Sequence, residues 1–241
     1  MLRGQRSRAR GEAAVEDLLR ALNRHLLRVE DLLTDAMRTL APPAVERARE
    51  AGPTFEIVVV CTRNRFRSPL TAGLLAAATK ELPVRVASCG TLGADGETVL
   101  EEAVAGGRRF GVDVSDHRSR PLRRDELREA DLVLGFERAH VAKAVVDGGA
   151  PPDRTFTLPE LVDLLPFAPP VSGLDPVDQA RETVARAARL RAFGDGALPA
   201  EFADPAGAGR RAGRAAARRL HDLVAELVAA LFPQVPTAAT G

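Results

Sequence analysis

The sequence predicts an α/β protein: a three-layer domain in which a four-stranded parallel sheet carries helices on both faces, preceded by an N-terminal helical extension. Short apolar runs of four to six residues alternate with helix-patterned stretches from Phe55 onward. Glycine and proline punctuate the joints between them. Hydrophobic residues make up 45% of the 241 and aromatics only 4%, so a sizeable core has to be filled by Ala, Leu and Val.

The elements follow in order. From Val15 to Leu40 apolar residues recur in steps of four and three, a heptad rhythm that makes an amphipathic helix and a candidate dimerisation surface. Pro42 and Pro43 end it, and a short helix fits Ala44–Ala51 before the Gly52-Pro53 break. FEIVVV (Phe55–Val60) reads as a buried strand, and SPLTAGLLAAATKEL (Ser68–Leu82) as the helix after it. VRVAS (Val84–Ser88) is the second strand, and Thr98–Gly111 a helix stopped by glycine. A short helix in DELREA leads to the third strand, Leu132–Phe136; ERAHVAKAVV is the next helix and Arg154–Leu158 the fourth strand. Residues 159–203 break the rhythm: a proline-rich loop, a helix beginning DPVDQARETVARAA, and a second loop read as an insertion. A long C-terminal helix after Asp204-Pro205 closes the fold. The expected organisation is an extension over 1–52, a domain over 53–233 and a flexible tail over 234–241.

Charge and cysteine count narrow the function. The 34 basic and 33 acidic residues nearly cancel, which argues against nucleic acid or an anionic membrane as partner. No apolar run approaches the roughly 20 residues a spanning helix needs. The basic N-terminus lacks an apolar signal core, so a cytoplasmic protein is expected. Cys61 and Cys89 are the only cysteines, too few for a disulfide framework or a four-cysteine zinc site, and no metal or cofactor is expected.

Cys61 stands where the first strand turns into the first helix, within VCTRNRFRSP. Such a loop lies at the carboxyl end of a central strand, where open α/β sheets place their ligands. Its backbone N–H groups and the free donors of the helix N-terminus cradle a tetrahedral oxyanion. The same dipoles favour a thiolate, the nucleophilic form of cysteine. A guanidinium at the far end of the loop can grip two phosphoryl oxygens at once. Cys61 and Arg67 supply those two parts.

This stretch resembles the V-C-x-G-N-x-C-R-S-P signature of the low-molecular-weight protein tyrosine phosphatases, with Cys61, Asn64, Arg67, Ser68 and Pro69 in register. VASCGT (Val86–Thr91) is similar to the family's S-A-G-T segment. GVDVSDHRSRPL and ADLVLGFERAH are similar to two later stretches, so the likeness covers about Phe55–Leu161 and the last thirty-odd residues. The resemblance implies hydrolysis of a phosphomonoester, with phosphotyrosine protein as substrate class, through a phosphocysteine on Cys61. Arg67 would hold the phosphate with the loop Thr62, Arg63, Asn64, Arg65 and Phe66. Ser68 would stabilise the sulfur, and Asn64 would hold the loop's shape through Ser88. An Asp-Pro supplies the acid in that family. Asp204-Pro205 fits the layout, whereas Asp175-Pro176 reads as a helix cap and is the alternative.

Three departures follow from the comparison. Arg63 replaces the loop glycine, Phe66 replaces the second loop cysteine, and AGAG follows Asp204-Pro205 where many members carry aromatics. Cys89 is expected to be a buried structural thiol, with an approach to Cys61 as the alternative. A phosphate-binding module without strong catalysis is the rival reading. Arsenate reductases of this fold need two further cysteines, and none follows Cys89. The four histidines, His25, His117, His140 and His221, read as solvated or core residues.

Overall fold

The structure, a computed structural model, describes residues 53–170, 173–192 and 200–233. The extension and heptad helix expected over 1–52 and the tail over 234–241 lie outside the described residues. Among the described residues no helix is long and apolar enough to cross a membrane.

Four strands form one sheet: β1 (Phe55–Cys61), β2 (Val84–Gly90), β3 (Leu132–Gly135) and β4 (Thr155–Thr157). They lie in the order β2-β1-β3-β4, and every pair is parallel. Between them run α1 (Arg67–Ala78), α2 (Glu101–Arg108), α3 (Arg124–Glu129) and α4 (Arg138–Val146). After β4 come α5 (Leu158–Leu164), α6 (Pro176–Ala192) and α7 (Gly209–Leu231).

Alternation along β1 explains the layers. Phe55, Ile57, Val59 and Cys61 point into the larger core, with Leu70 and Leu74 of α1, Val184 of α6 and Leu220, Leu223 and Leu227 of α7. Val58 and Val60 point the other way, against Leu127 of α3 and Ala144 of α4. A strand covered on both faces needs apolar residues at every position, which is why FEIVVV reads as a continuous run. α2 and α7 approach closely through glycine: a Cβ on Gly106 would lie 2.6 Å from the Ala217 Cβ. Gly106→Ala is therefore expected to cost about 1–3 kcal/mol of stability, read from urea unfolding.

Element ends differ from the sequence reading where tertiary bonds intervene. α1 stops at Ala78 rather than Leu82: the Thr79 N–H makes the last rung to the Leu75 carbonyl, which its hydroxyl also bonds, but its backbone leaves the helical region at φ −112° and ψ 16°, and Leu82 N–H turns back to the Thr79 carbonyl. α2 begins at Glu101 rather than Thr98, since Thr98 bridges to Arg118 and Leu100 N–H bonds the Arg65 carbonyl. α5 was not expected. Thr157 caps it by accepting from Glu160 N–H, while Glu160 accepts from Thr157 N–H. Leu158 and Leu161 of α5 and Val177 and Ala180 of α6 are buried in the same core as α7, so much of 159–203 packs as part of the domain.

β1 runs between β2 and β3, and its connections leave in opposite directions. The crevice at their carboxyl ends is the switch point of the sheet. Cys61 is the last residue of β1 and stands there.

Candidate active site

The loop from Cys61 to Arg67 is held open by bonds that pull its carbonyls outward. Cys61 O accepts from Thr91 N–H, Thr62 O from Leu92 N–H and Arg65 O from Leu100 N–H, at 2.8–2.9 Å. The Asn64 carbonyl accepts from His117 Nε2 at 3.1 Å. Asn64 N–H donates to the Cys61 sulfur at 3.2 Å. The N–H groups of Arg63, Arg65 and Phe66 make no backbone hydrogen bond within the described residues, which is the arrangement an oxyanion seated in the loop would complete.

Asn64 is the centre of this geometry. It is fully buried and has φ of 55°, the left-handed region where asparagine is enriched among non-glycine residues. Both of its amide hydrogens are used, on Ser68 Oγ at 2.8 Å and Ser88 Oγ at 2.9 Å. Its side-chain oxygen accepts from Arg120 N–H and His117 Nε2, each at 3.1 Å. Ser68 Oγ, which accepts from Asn64, lies 3.0 Å from the Cys61 sulfur and 3.4 Å from the Cys89 carbonyl, so its hydrogen has both as acceptors and turns to the sulfur when the sulfur is a thiolate. The sulfur is thus within reach of two donor groups, the Asn64 N–H and the Ser68 O–H.

Arg63 does not distort the loop. Asn64 is the only described non-glycine residue with positive φ, so the position where the signature carries glycine has a backbone any residue adopts. The Arg63 side chain is exposed at the rim. Phe66 is buried in the larger core, 3.7 Å from where a Cβ on Gly213 of α7 would stand. Cys89 faces the other side of the sheet: its partner in register is Val60, and it packs with Val58 and Val60 rather than with Cys61. Burial pushes its thiol up to about 12. Approach of Cys89 to Cys61 is therefore excluded by the alternation of the strands.

Arg67 is 1% exposed, under the Phe136 ring at 5.6 Å. Its Nη1 donates to the Glu137 carboxylate and, at 3.1 Å, to the Phe202 carbonyl. Its Nη2 donates to Asp204 Oδ2 at 2.7 Å and lies 3.4 Å from Thr62 Oγ1. Its Nε is buried with no partner, an unmet donor that a bound anion would satisfy.

The segment carrying Asp204 is strapped to the loop after β3. Phe202 N–H donates to the Phe136 carbonyl at 2.7 Å, and Arg138 N–H and Nε donate to Glu201 at 2.8 and 3.0 Å. Asp175 stands elsewhere. Its Oδ1 caps α6 by accepting from Val177 and Asp178 N–H, and those bonds hold its carboxyl below the usual range. Arg181 of the same helix pairs with Asp131, which accepts from Glu56 N–H at the start of β1. A strand of β1's length separates that end of the sheet from Cys61, roughly 20 Å.

Two of the histidines belong to the site, contrary to the expectation that all four are solvated or core residues. His117 Nε2 faces only acceptors on Asn64 and so carries the proton. His140 Nδ1 accepts from Phe136 and Glu137 N–H at 3.3 and 3.2 Å, which places the hydrogen on Nε2, 3.0 Å from Thr62 Oγ1. Burial, and then the Arg67 charge, push His140 down to about 4. The unfolded chain takes up a proton near 6.5 that the folded ring refuses, so this stability is full above about pH 6.5 and is lost as pH falls toward 4. Urea unfolding is expected to show His140→Gln flattening that acid decline by on the order of 3 kcal/mol. Glu137 and His140 were not assigned from sequence. The H-x-S-R and F-E-R-A-H segments were the only signals pointing to this loop cluster.

The pocket over Cys61 measures about 260 Å³ and is lined by Arg63, Arg65, Phe66, Arg67, Leu100, Asp204, Ala206 and Gly207 besides the cysteine. No aromatic wall rises after Asp204-Pro205. Among the described residues no group of three or more His, Cys, Asp or Glu converges as metal ligands.

Residues 56–163 match the family described as low molecular weight phosphotyrosine protein phosphatase. A protein-arginine-phosphatase from Geobacillus stearothermophilus is 34% identical over 109 residues, 45% of this chain and 72% of that protein. The probable low molecular weight protein-tyrosine-phosphatase AmsI from Erwinia amylovora is 36% identical over 85 residues, 35% of this chain and 58% of that one. Among solved structures, a low molecular weight protein tyrosine phosphatase from T. tengcongensis superposes with a TM-score of 0.55 at 26% identity, over 73% of this chain and 98% of that one. The YwlE arginine phosphatase from Geobacillus stearothermophilus gives 0.52 at 29% identity, over 72% and 90%.

Proposed function

Because the chain belongs to the low molecular weight phosphotyrosine protein phosphatase family, whose members are cysteine-dependent phosphatases, we propose that it hydrolyses phosphotyrosine in proteins through a phosphocysteine on Cys61. The observation that carries this reading is the Cys61–Arg67 loop itself. It joins a sulfur facing two donors, unpartnered N–H groups and a buried guanidinium with a free Nε around one small pocket.

The steps follow from that geometry. The phosphoryl oxygens take the loop N–H groups and Arg67, displacing Asp204 from Nη2. The Cys61 thiolate forms a bond to phosphorus as the ester P–O bond breaks, and the Asp204 carboxyl gives its proton to the leaving oxygen. Water then attacks phosphorus, its proton passes to the Asp204 carboxylate, and the S–P bond breaks to release phosphate and thiolate. The Ser68 O–H stabilises the departing sulfur. Glu137 fixes Arg67 from the side away from Asp204.

Two substrate chemistries are represented among the relatives, tyrosine and arginine phosphate. Arg63 and Arg65 at the pocket mouth favour the first, since phosphoarginine keeps a cationic guanidinium beside its phosphoryl group. The rival reading, a binding module with a distorted loop, loses its main support with the ordinary backbone at Arg63. The test is turnover of para-nitrophenyl phosphate by the pure protein, then release of phosphate from phosphotyrosine and phosphoarginine peptides of one sequence. Faster release from the arginine peptide would reverse the substrate assignment. Absence of turnover with phosphate still bound would restore the binding module.

A further inference from the structure

A second cavity, of about 390 Å³, lies beside the catalytic pocket, lined by Glu101, Glu102, Ala105, Arg109, Arg210 and Arg214. The two share their walls along the chain. Leu100 borders the catalytic pocket and Glu101 the second; Ala206 and Gly207 border the first and Arg210 the second. No bulky side chain occupies the Ala206–Gly209 stretch between them, where the sequence reads AGAG.

The arginines of this cavity stand against the interest of their own helix. Arg210 and Arg214 occupy the first turns of α7, which has no acidic residue in its first turn. Cations at a helix N-terminus oppose the macrodipole, and like charges four residues apart repel. Among the described residues the only ion pair of the α7 arginines is Arg219–Glu226, at 4.0 Å; Arg210 and Arg214 have none. Glu101 and Glu102 sit in the first turn of α2, the favourable place for carboxylates, and make no ion pair with the three arginines. With three arginines against two glutamates the cavity lining keeps an excess of positive charge, and none of those arginines is ion-paired among the described residues. The neighbouring pocket carries at its mouth the exposed Arg63 and, paired with Glu97, Arg65. Such an arrangement costs stability and is compensated when an anion arrives from outside.

We propose that this cavity is an anion subsite that takes an acidic side chain flanking the phosphorylated residue, so that the preferred substrate is a phosphoprotein segment rich in Asp or Glu beside the phosphoresidue. The proposal rests on the phosphatase reading, since it extends the same substrate from one pocket to the next. The missing aromatic wall and the subsite then belong together: small residues leave the path open, and charge replaces stacking as the source of affinity.

The experiment uses the full-length Cys61→Ser chain and fluorescence anisotropy with two phosphotyrosine peptides, one flanked by Asp and one by Asn. The acidic peptide is expected to bind about five- to tenfold more tightly at low salt, with the preference shrinking as salt rises. Arg210→Glu with Arg214→Glu is expected to abolish that preference and to favour a Lys-flanked peptide instead, a gain that a misfolded protein would not show. Equal affinities for the Asp and Asn peptides, or a preference that survives the double substitution, would overturn the subsite. So would tighter binding of a single-stranded oligonucleotide than of the acidic peptide. Turnover of para-nitrophenyl phosphate by the unsubstituted chain reports on the phosphatase reading separately. Its absence beside an intact acidic preference would sink that reading and leave the subsite standing.

Discussion

Cys61→Ser is expected to reduce turnover of any phosphomonoester by roughly 10⁴-fold or more, because the serine hydroxyl in this loop is a far weaker nucleophile than a thiolate. Affinity for inorganic phosphate should persist, since the loop N–H groups and Arg67 are untouched. The two readouts together discriminate between mechanisms. A protein that only binds phosphate would show no difference between wild type and variant in either. A phosphatase loses kcat and keeps phosphate binding. Pre-steady-state kinetics with excess para-nitrophenyl phosphate should show a burst of nitrophenol in the wild type wherever hydrolysis of the proposed phosphocysteine limits the rate, and none in the variant. Residual turnover in Cys61→Ser within tenfold of wild type would remove Cys61 from the chemistry.

Asp204→Ala is expected to lower kcat by about 10²–10⁴-fold on a phosphotyrosine peptide, whose leaving oxygen needs a proton. The loss should be smaller on para-nitrophenyl phosphate, where the leaving group is stable as an anion. The structure adds a second signature. Asp204 occupies Arg67 Nη2 at 2.7 Å, so removing the carboxylate frees the guanidinium for phosphate. Phosphate and vanadate should therefore bind more tightly to Asp204→Ala than to wild type while kcat falls, a split that simple misfolding does not produce. Asp175→Ala is the matched control: it removes the cap of α6 and should cost about 0.5–2 kcal/mol of stability with kcat unchanged. A loss of kcat in Asp175→Ala but not in Asp204→Ala would transfer the acid role to Asp175.

Much of this site was legible in one continuous stretch. Cys61, Asn64, Arg67 and Ser68 lie within eight residues, and a strand-to-helix turn leaves such a stretch few ways to fold. The sheet was legible for a similar reason: FEIVVV and LVLGF are apolar at successive positions because both of their faces are covered. What escaped the sequence reading depends on pairing over long separations. The helix of α5 was missed because proline-rich flanks outweighed the capping box of Thr157 and Glu160. The start of α2 was misplaced because Thr98 is drawn into a bridge with Arg118. His117 and His140 are 53 and 78 residues from the loop atoms they bond, and no local pattern reveals that.

By itself the sequence determined the fold class and pointed to Cys61 and Arg67 as candidate nucleophile and candidate phosphate grip, since each follows from neighbouring residues and their periodicity. Only the tertiary structure decided which Asp-Pro reaches the site, that Arg63 needs no glycine backbone, and that Cys89 turns away from Cys61. It also placed Glu137 and Asp204 on Arg67, across 70 and 137 residues of chain. The physical reason is the strand order β2-β1-β3-β4, which gathers the carboxyl ends of β1 and β3 and the loop before α7 at one crevice. The amino end of the sheet, with Asp175 and its cap, is left on the far side.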